Sequence, residues 1–398
     1  MNNRILNIKK DVKWIGVLDP SLVTFDVVME TKYGTTYNSY FIDADKKTIV
    51  ETSKETFKDE YIQKVKKVVN PDDIEYIVLD HTEPDHSSNL KHLLRIAPNA
   101  TVVASKSAIN FLKYMVDIDF KYKIVKDGDT LDLGNKTLKF ISAPFLHWPD
   151  SMYTYLIEDK VLFTCDSFGC HFCDERMFDD LVDNFDEAFK YYFDVILKPF
   201  SNYMLSAIDK IKDLDIEVIC PGHGPILRSK PQKYIQMSKD LCRVKEKLKQ
   251  HKIFIPYVSA YGYTGKMAQE IANEIKIVDN NIEVDVCDIE NIDLFELEEK
   301  IETSTALLIG CPTINQNILL PIYKLFAVLN PITNRSKAAA AFGSYGWSGE
   351  AINIMEDNLK NHKLKIAVPG LKAAFLPNEN SLEKCRIFAK DFVDFLKK

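Results

Sequence analysis

Residues 80–86 read Asp80-His81-Thr82-Glu83-Pro84-Asp85-His86. They follow directly on the apolar run Ile74-Glu75-Tyr76-Ile77-Val78-Leu79, whose β-branched and aromatic content predicts a strand. Four side chains able to hold a cation (His81, Glu83, Asp85 and His86) are therefore crowded at one strand end. Pro84 excludes the interior of a continuous helix and predicts a rigid turn. Two imidazoles and two carboxylates packed so closely call for positive charge, which a pair of metal ions supplies.

The same arrangement recurs along the first half of the chain. Short apolar runs at Asn38–Ile42, Ile74–Val78, Thr101–Ala104, Thr137–Ser142, Val161–Cys165 and Val218–Cys220 read as strands bounded by turn residues. Glu60–Val69 and Ser107–Tyr114 show helical spacing. His147 lies just after Thr137–Ser142, in Ala-Pro-Phe-Leu-His-Trp-Pro; Asp166 ends Val161-Leu-Phe-Thr-Cys-Asp; His223 lies just after Val218–Cys220, in Cys-Pro-Gly-His-Gly-Pro. A lone histidine more often satisfies a hydrogen bond in a core or loop. Seven metal-capable residues at successive strand ends favour a metal centre.

His-x-Glu-x-Asp-His, a later His, an Asp soon after it and a late Gly-His-Gly together resemble the metallo-β-lactamase fold, an αββα sandwich. Its hydrolases commonly carry His at the second motif position. Glu83 there resembles instead the flavodiiron subfamily, the A-type flavoproteins. The resemblance implies that His81, Glu83, His147 and Asp166 hold one iron, and that Asp85, His86, His223 and a bridging Asp166 hold the other. Carboxylate-rich ligation suits iron passing between its oxidation states better than an imidazole-rich zinc site does.

From Lys230 to Lys252 the chain is charged and helix-compatible, read as a solvated helix face. A fresh pattern then begins. Ile253–Val258, Ile282–Asp288, Ala306–Gly310, Ala338–Phe342 and Leu364–Val368 read as strands alternating with helices, the layout of a doubly wound parallel sheet. The expected boundary is near residue 250: residues 1–250 form the metal domain (α+β) and residues 251–398 an α/β domain. Ser259-Ala-Tyr-Gly-Tyr-Thr-Gly-Lys266, between first strand and helix, can cradle a phosphate with backbone N–H groups. It resembles the flavodoxin phosphate loop, with Ser259, Gly262 and Thr264 in matching places and Tyr263 where many flavodoxins carry Asn. Tyr261 and Tyr263 complete this loop. Pro312, Thr313 and Asn315, with Ser344, Tyr345, Gly346 and Trp347, lie on two further loops at strand carboxyl ends, and FMN is the implied ligand.

The net charge of −7 argues against nucleic acid as the main partner. No segment has the length and apolarity of a membrane span, and the first residues lack a signal-peptide core, so the expected location is the cytoplasm. The eight cysteines are too scattered for a disulfide framework; Cys170 and Cys173 form the one close pair. Without the paired C-x-x-C motifs of a rubredoxin-like tail, electrons are expected from a separate donor. By resemblance the donor is a rubredoxin, the assembly a head-to-tail homodimer, and the reaction reduction of dioxygen to water, of nitric oxide to nitrous oxide, or both. His171 and Tyr192 are candidate proton donors, with Trp148 nearby in the pocket. The competing readings are a zinc hydrolase fused to a flavodoxin domain and a non-catalytic flavin electron carrier.

Overall fold

The strand before the ligand-rich segment forms over Ile74–Leu79, inside a seven-stranded sheet of the first half of the chain. The spatial order of that sheet is Leu6–Lys9, Val12–Trp14, Tyr40–Ile42, Lys47–Val50, Ile74–Leu79, Thr101–Ser105 and Lys121–Val125. A second sheet has five strands: Thr130–Asp132, Thr137–Ser142, Met152–Leu156, Val161–Cys165 and Val218–Pro221. These are features of a computed structural model that describes residues 4–26, 29–183, 185–243 and 251–398. The chain divides into two units, Met1–Val244 and Lys245–Lys398.

Strand periodicity explains the layering of the first unit. Successive side chains of a strand point to opposite faces. Val78, Val103, Tyr40 and Ile42 meet Leu138, Phe140, Val161 and Phe163 in one core between the two sheets. Their chain neighbours Ile77, Leu79, Phe41 and Val102 face outward, where the helices Lys58–Val68, Leu90–Ile96 and Lys106–Met115 cover them. Ile141, Tyr153, Leu162 and Ile219 face outward from the other sheet, under Asp186–Tyr192, Ser201–Ile211 and Pro231–Arg243. Strands apolar on both faces have this consequence: each sheet must be covered twice, and an αββα sandwich results.

The second unit is a parallel sheet in the order Glu283–Asp288, Lys252–Tyr257, Ala306–Gly310, Ala338–Tyr345, Lys365–Ile366, with Leu371–Ala374 also pairing with Ala338–Tyr345. Numbered in sequence, this is 2-1-3-4-5, the flavodoxin-like order. Apolar cores lie on both of its faces. Both architectures expected from the sequence therefore form.

Three local details differ from expectation. Pro84 opens a one-turn helix, Pro84–Ser87, in place of a helix-free turn, because proline is tolerated at the first helical position. The last expected strand, Leu364–Val368, shrinks to Lys365–Ile366 and pairing resumes only at Leu371, since Pro369 has no N–H to give the ladder. Of the charged stretch Lys230–Lys252, Pro231–Arg243 is helical and residues 244–250 lie outside the described residues. Among the described residues no helix is long and apolar enough to cross a membrane.

Candidate functional site

All seven ligand candidates gather at the carboxyl ends of the strands Ile74–Leu79, Thr137–Ser142, Val161–Cys165 and Val218–Pro221. Two glycines make this packing possible. A Cβ on Gly222 would lie 2.6 Å from Cε1 of His86, and one on Gly224 would lie 2.5 Å from the carbonyl oxygen of Cys170. Gly224 also has a φ of +77°, which favours glycine. The backbone around His223 thus passes against its neighbours where any side chain would collide.

The ligand atoms fall into two groups. His147 Nε2 lies 2.9 Å from Glu83 Oε2, and His81 Nε2 lies 3.4 Å from Glu83 Oε2 and 3.4 Å from Asp166 Oδ2. His223 Nε2 lies 3.1 Å from Asp85 Oδ2 and 3.6 Å from Asp166 Oδ1, while His86 Nε2 lies 3.2 Å from Asp166 Oδ1. Asp166 therefore turns one oxygen toward each group. The ligand atoms of His81, Glu83, His147 and Asp166 lie within 4.8 Å of one another, as do those of Asp85, His86 and His223.

Whether this pocket suits two cations can be judged from its polar atoms. Buried polar groups in folded proteins are almost always hydrogen-bonded. Here His81 Nε2, both carboxylate oxygens of Asp85, Asp166 Oδ2 and His223 Nε2 are buried without a hydrogen-bond partner. Burial opposes charge on Glu83 and Asp166, yet the imidazoles around them hold both carboxyls well below their usual range. His223 Nδ1–H donates to the Thr36 carbonyl at 2.6 Å, which leaves its Nε2 lone pair free to face inward. The donor set fits two metal ions. A cavity of about 320 Å³ lined by Phe25, Asp26, Lys54, Glu83 and Asp85 opens the pocket to solvent.

In the second unit, the loop after Lys252–Tyr257 leads into the helix Tyr263–Val278, whose first-turn N–H groups have no partner within the helix. Gly262 precedes it with a φ of +76°. Ser259 Oγ accepts from Gly265 N–H at 3.1 Å, and the hydroxyls of Thr264 and Ser344 lie 2.9 Å apart. Thr313 N–H donates to the Ser344 carbonyl at 2.9 Å, drawing the three loops together. Pro312 is buried beside it, whereas Asn315 is exposed. Tyr261 and Trp347 are 81% and 86% exposed, so two large aromatic rings stand uncovered beside a helix N-terminus, with Tyr345 and Gly346 half-buried between. A phosphate-binding turn flanked by such rings fits a flat phosphorylated ligand such as FMN.

Residues 35–224 match the family model described as ODP family beta lactamase, and residues 255–388 match that of flavodoxin. The chain is 42% identical to Flavo-diiron protein FprA2 of Clostridium acetobutylicum, across 97% of this chain and 98% of that protein. It belongs to the flavodiiron family. Nitric oxide reductase of Moorella thermoacetica is 37% identical across 94% of each chain. The solved structure of rubredoxin oxygen:oxidoreductase from Desulfovibrio gigas is 26% identical, covers 99% of both chains and superposes with a TM-score of 0.69. Flavodiiron proteins carry FMN on the flavodoxin unit and a non-haem di-iron site on the other.

In this flavodiiron protein the two candidate proton donors sit behind the ligands. The Tyr192 hydroxyl donates to Asp166 Oδ1 at 3.0 Å, and burial, reinforced by Asp166, pushes its pKa well above the usual value. His171 is buried with its ring 4.9 Å from that of His223 and Nδ1 2.8 Å from Thr35 Oγ1; burial and then His223 hold its pKa well below the usual value. Trp148 packs edge-on against His81 at 5.3 Å. Cys170 is buried and Cys173 half-buried, both as free thiols; burial pushes Cys173 up to about 12. Three supporting residues carry no sequence signal of their own. Asp150 bonds His81 and Thr82, Thr36 bonds His223 and Gly224, and buried Glu51 bonds the Asp80 backbone.

Proposed function

We propose that this flavodiiron protein is an oxygen and/or nitric oxide reductase that draws electrons from a rubredoxin-like donor. The observation that carries the metal assignment is Asp166, with one oxygen toward each ligand group. On this reading residues 1–250 form the di-iron domain: His81, Glu83, His147 and Asp166 hold one iron, and Asp85, His86, His223 and Asp166 the other. Residues 251–398 form the FMN domain, with Ser259, Tyr261, Gly262, Tyr263 and Thr264 at the phosphate. Pro312, Thr313, Asn315, Ser344, Tyr345, Gly346 and Trp347 lie at the ring. When bound, FMN supplies electron transfer and the irons supply binding and reduction of the gas.

The chain's own side chains do the rest. Glu83 and Asp85 line the cavity through which a small neutral molecule reaches the ligand cluster. Reducing dioxygen to two waters consumes four electrons and four protons; coupling two nitric oxides to nitrous oxide and water consumes two of each. Tyr192 keeps its proton at neutral pH and directs it at Asp166, and His171, held neutral, has one ring nitrogen to take up a proton as the other releases one, so both are candidates to relay protons near the ligands. Head-to-tail dimerisation and a cytoplasmic location complete the proposal.

The test is anaerobic purification with iron, zinc and flavin quantified, followed by reduction and separate measurement of dioxygen and nitric oxide consumption. Two irons and one FMN per chain with turnover of either gas support the reading. Zinc in place of iron, or bound iron without turnover, overturns it.

A further inference from the structure

The hydrogen bonds behind the imidazoles are not the same at the two ligand groups. At the group containing Asp85, His223 Nδ1 is held by a backbone carbonyl, and His86 Nδ1 is buried without a hydrogen-bond partner. At the group containing Glu83, His81 Nδ1 lies 3.2 Å from Oδ2 of Asp150, a carboxylate with no solvent exposure. The same oxygen accepts the Thr82 backbone N–H at 2.8 Å and the Thr82 hydroxyl at 2.7 Å. The Asp150 carbonyl in turn accepts from Ser105 Oγ at 2.9 Å, and Ser105 caps the helix Lys106–Met115. Asp150 is thus fixed by its backbone as well as by its side chain, and its oxygen is aimed at one imidazole.

We propose that Asp150 is a positioning residue that acts through His81 and makes the two metal positions unequal. Its carboxylate fixes the Nδ1–H tautomer of His81, directs Nε2 toward the position shared with Glu83, His147 and Asp166, and makes that imidazole the stronger donor. At the position served by Asp85, His86 and His223, no carboxylate among the described residues is hydrogen-bonded to the rear nitrogen of either imidazole: His223 is held by a carbonyl, and Glu51, with a carboxylate oxygen within 4.8 Å of a His86 ring nitrogen, makes no hydrogen bond to it. A carboxylate behind a metal-bound histidine typically contributes about 10–100-fold in metal affinity. That increment falls on one ion of the pair.

The inference rests on the two-metal reading, so metal stoichiometry of the wild-type holoprotein is measured first; fewer than two ions per chain defeats that reading itself. The holoprotein is then challenged with excess chelator. Asp150→Asn retains an acceptor for His81 but loses the charge, and release of one ion is expected to accelerate about 10–100-fold while the other keeps its wild-type rate. Thr82→Val removes a neighbouring bond and leaves the His81 contact, so both rates should match the wild type. Equal acceleration of both ions, no acceleration, or the same effect in Thr82→Val overturns the proposal. A wild-type measurement stands independently of how the variants fold. In zinc-loaded protein with ¹⁵N-labelled histidine, His81 should carry its proton on Nδ1, strongly deshielded and slow to exchange. A His81 protonated at Nε2, or with a rapidly exchanging Nδ1 proton, also overturns it.

Discussion

Tyr192 donates its phenolic hydrogen to Oδ1 of Asp166 across 3.0 Å, and both side chains are buried. The acceptor is the same oxygen that faces His86 and His223. A phenol whose pKa is pushed above its usual value by burial and by Asp166 remains protonated throughout the working pH range. Tyr192→Phe removes the hydroxyl and leaves the ring. Turnover should fall by about 10²-fold, the lower end for loss of a general acid, with two irons retained. Steady-state gas consumption on protein of verified iron content checks this. Unchanged turnover would reduce Tyr192 to an anchor for the Asp166 carboxylate.

Stripping the metals should destabilise the first unit more than the second. Three carboxylates and four imidazoles converge there, and five of their inward-facing atoms have no protein hydrogen-bond partner. An ion present at about 1,000 times its dissociation constant stabilises the folded state by about 4 kcal/mol. Calorimetry before and after chelation should therefore show an early transition in the stripped protein that metal restores. Superimposable traces would argue that the cluster is a scaffold.

The ligand set was legible because strands and chemistry share one punctuation: each of His81, His147, Asp166 and His223 follows an apolar run and sits beside proline, glycine or a turn. Strand alternation likewise foretold the two-faced burial that forces the αββα layering. What supports the ligands was not legible. Asp150 reaches His81 across 69 positions and Thr36 reaches His223 across 187. Such contacts are set by how loops converge on a sheet edge, and no local pattern encodes them. The Leu364–Val368 strand failed for the opposite reason: its composition suited a strand, but Pro369 interrupts the ladder just beyond it.

Gly262→Ala should weaken flavin binding through backbone strain alone. An added Cβ meets nothing within 4 Å, so there is no clash to relieve, but the φ of +76° is unfavourable for alanine by about 1–2 kcal/mol. If the loop keeps that conformation to bind phosphate, the FMN dissociation constant should rise roughly 5–30-fold. Fluorescence titration of the flavin-stripped protein measures it. A constant unchanged within error would mean that the left-handed residue is not needed in the bound loop.

Glu51 offers the sharpest test of pH dependence. Its Oε1 accepts the Asp80 backbone N–H at 2.5 Å, while its Oε2 and Asp80 Oδ2 are buried without partners. Burial pushes the Glu51 pKa up to about 8, from a usual 4.5. The folded protein thus keeps this proton up to about pH 8, whereas the unfolded chain releases it above 4.5. Between those values the folded state binds more protons, so this group's contribution to stability falls as pH rises, by up to about 1.4 kcal/mol per pH unit. Glu51→Gln keeps the acceptor for Asp80 N–H and replaces the carboxyl with an amide that does not titrate. The variant should match the wild type near pH 4.5 and become the more stable of the two by pH 8, as read from urea midpoints across that range. Parallel stability curves for the two proteins would mean that Glu51 is ionised in the folded state.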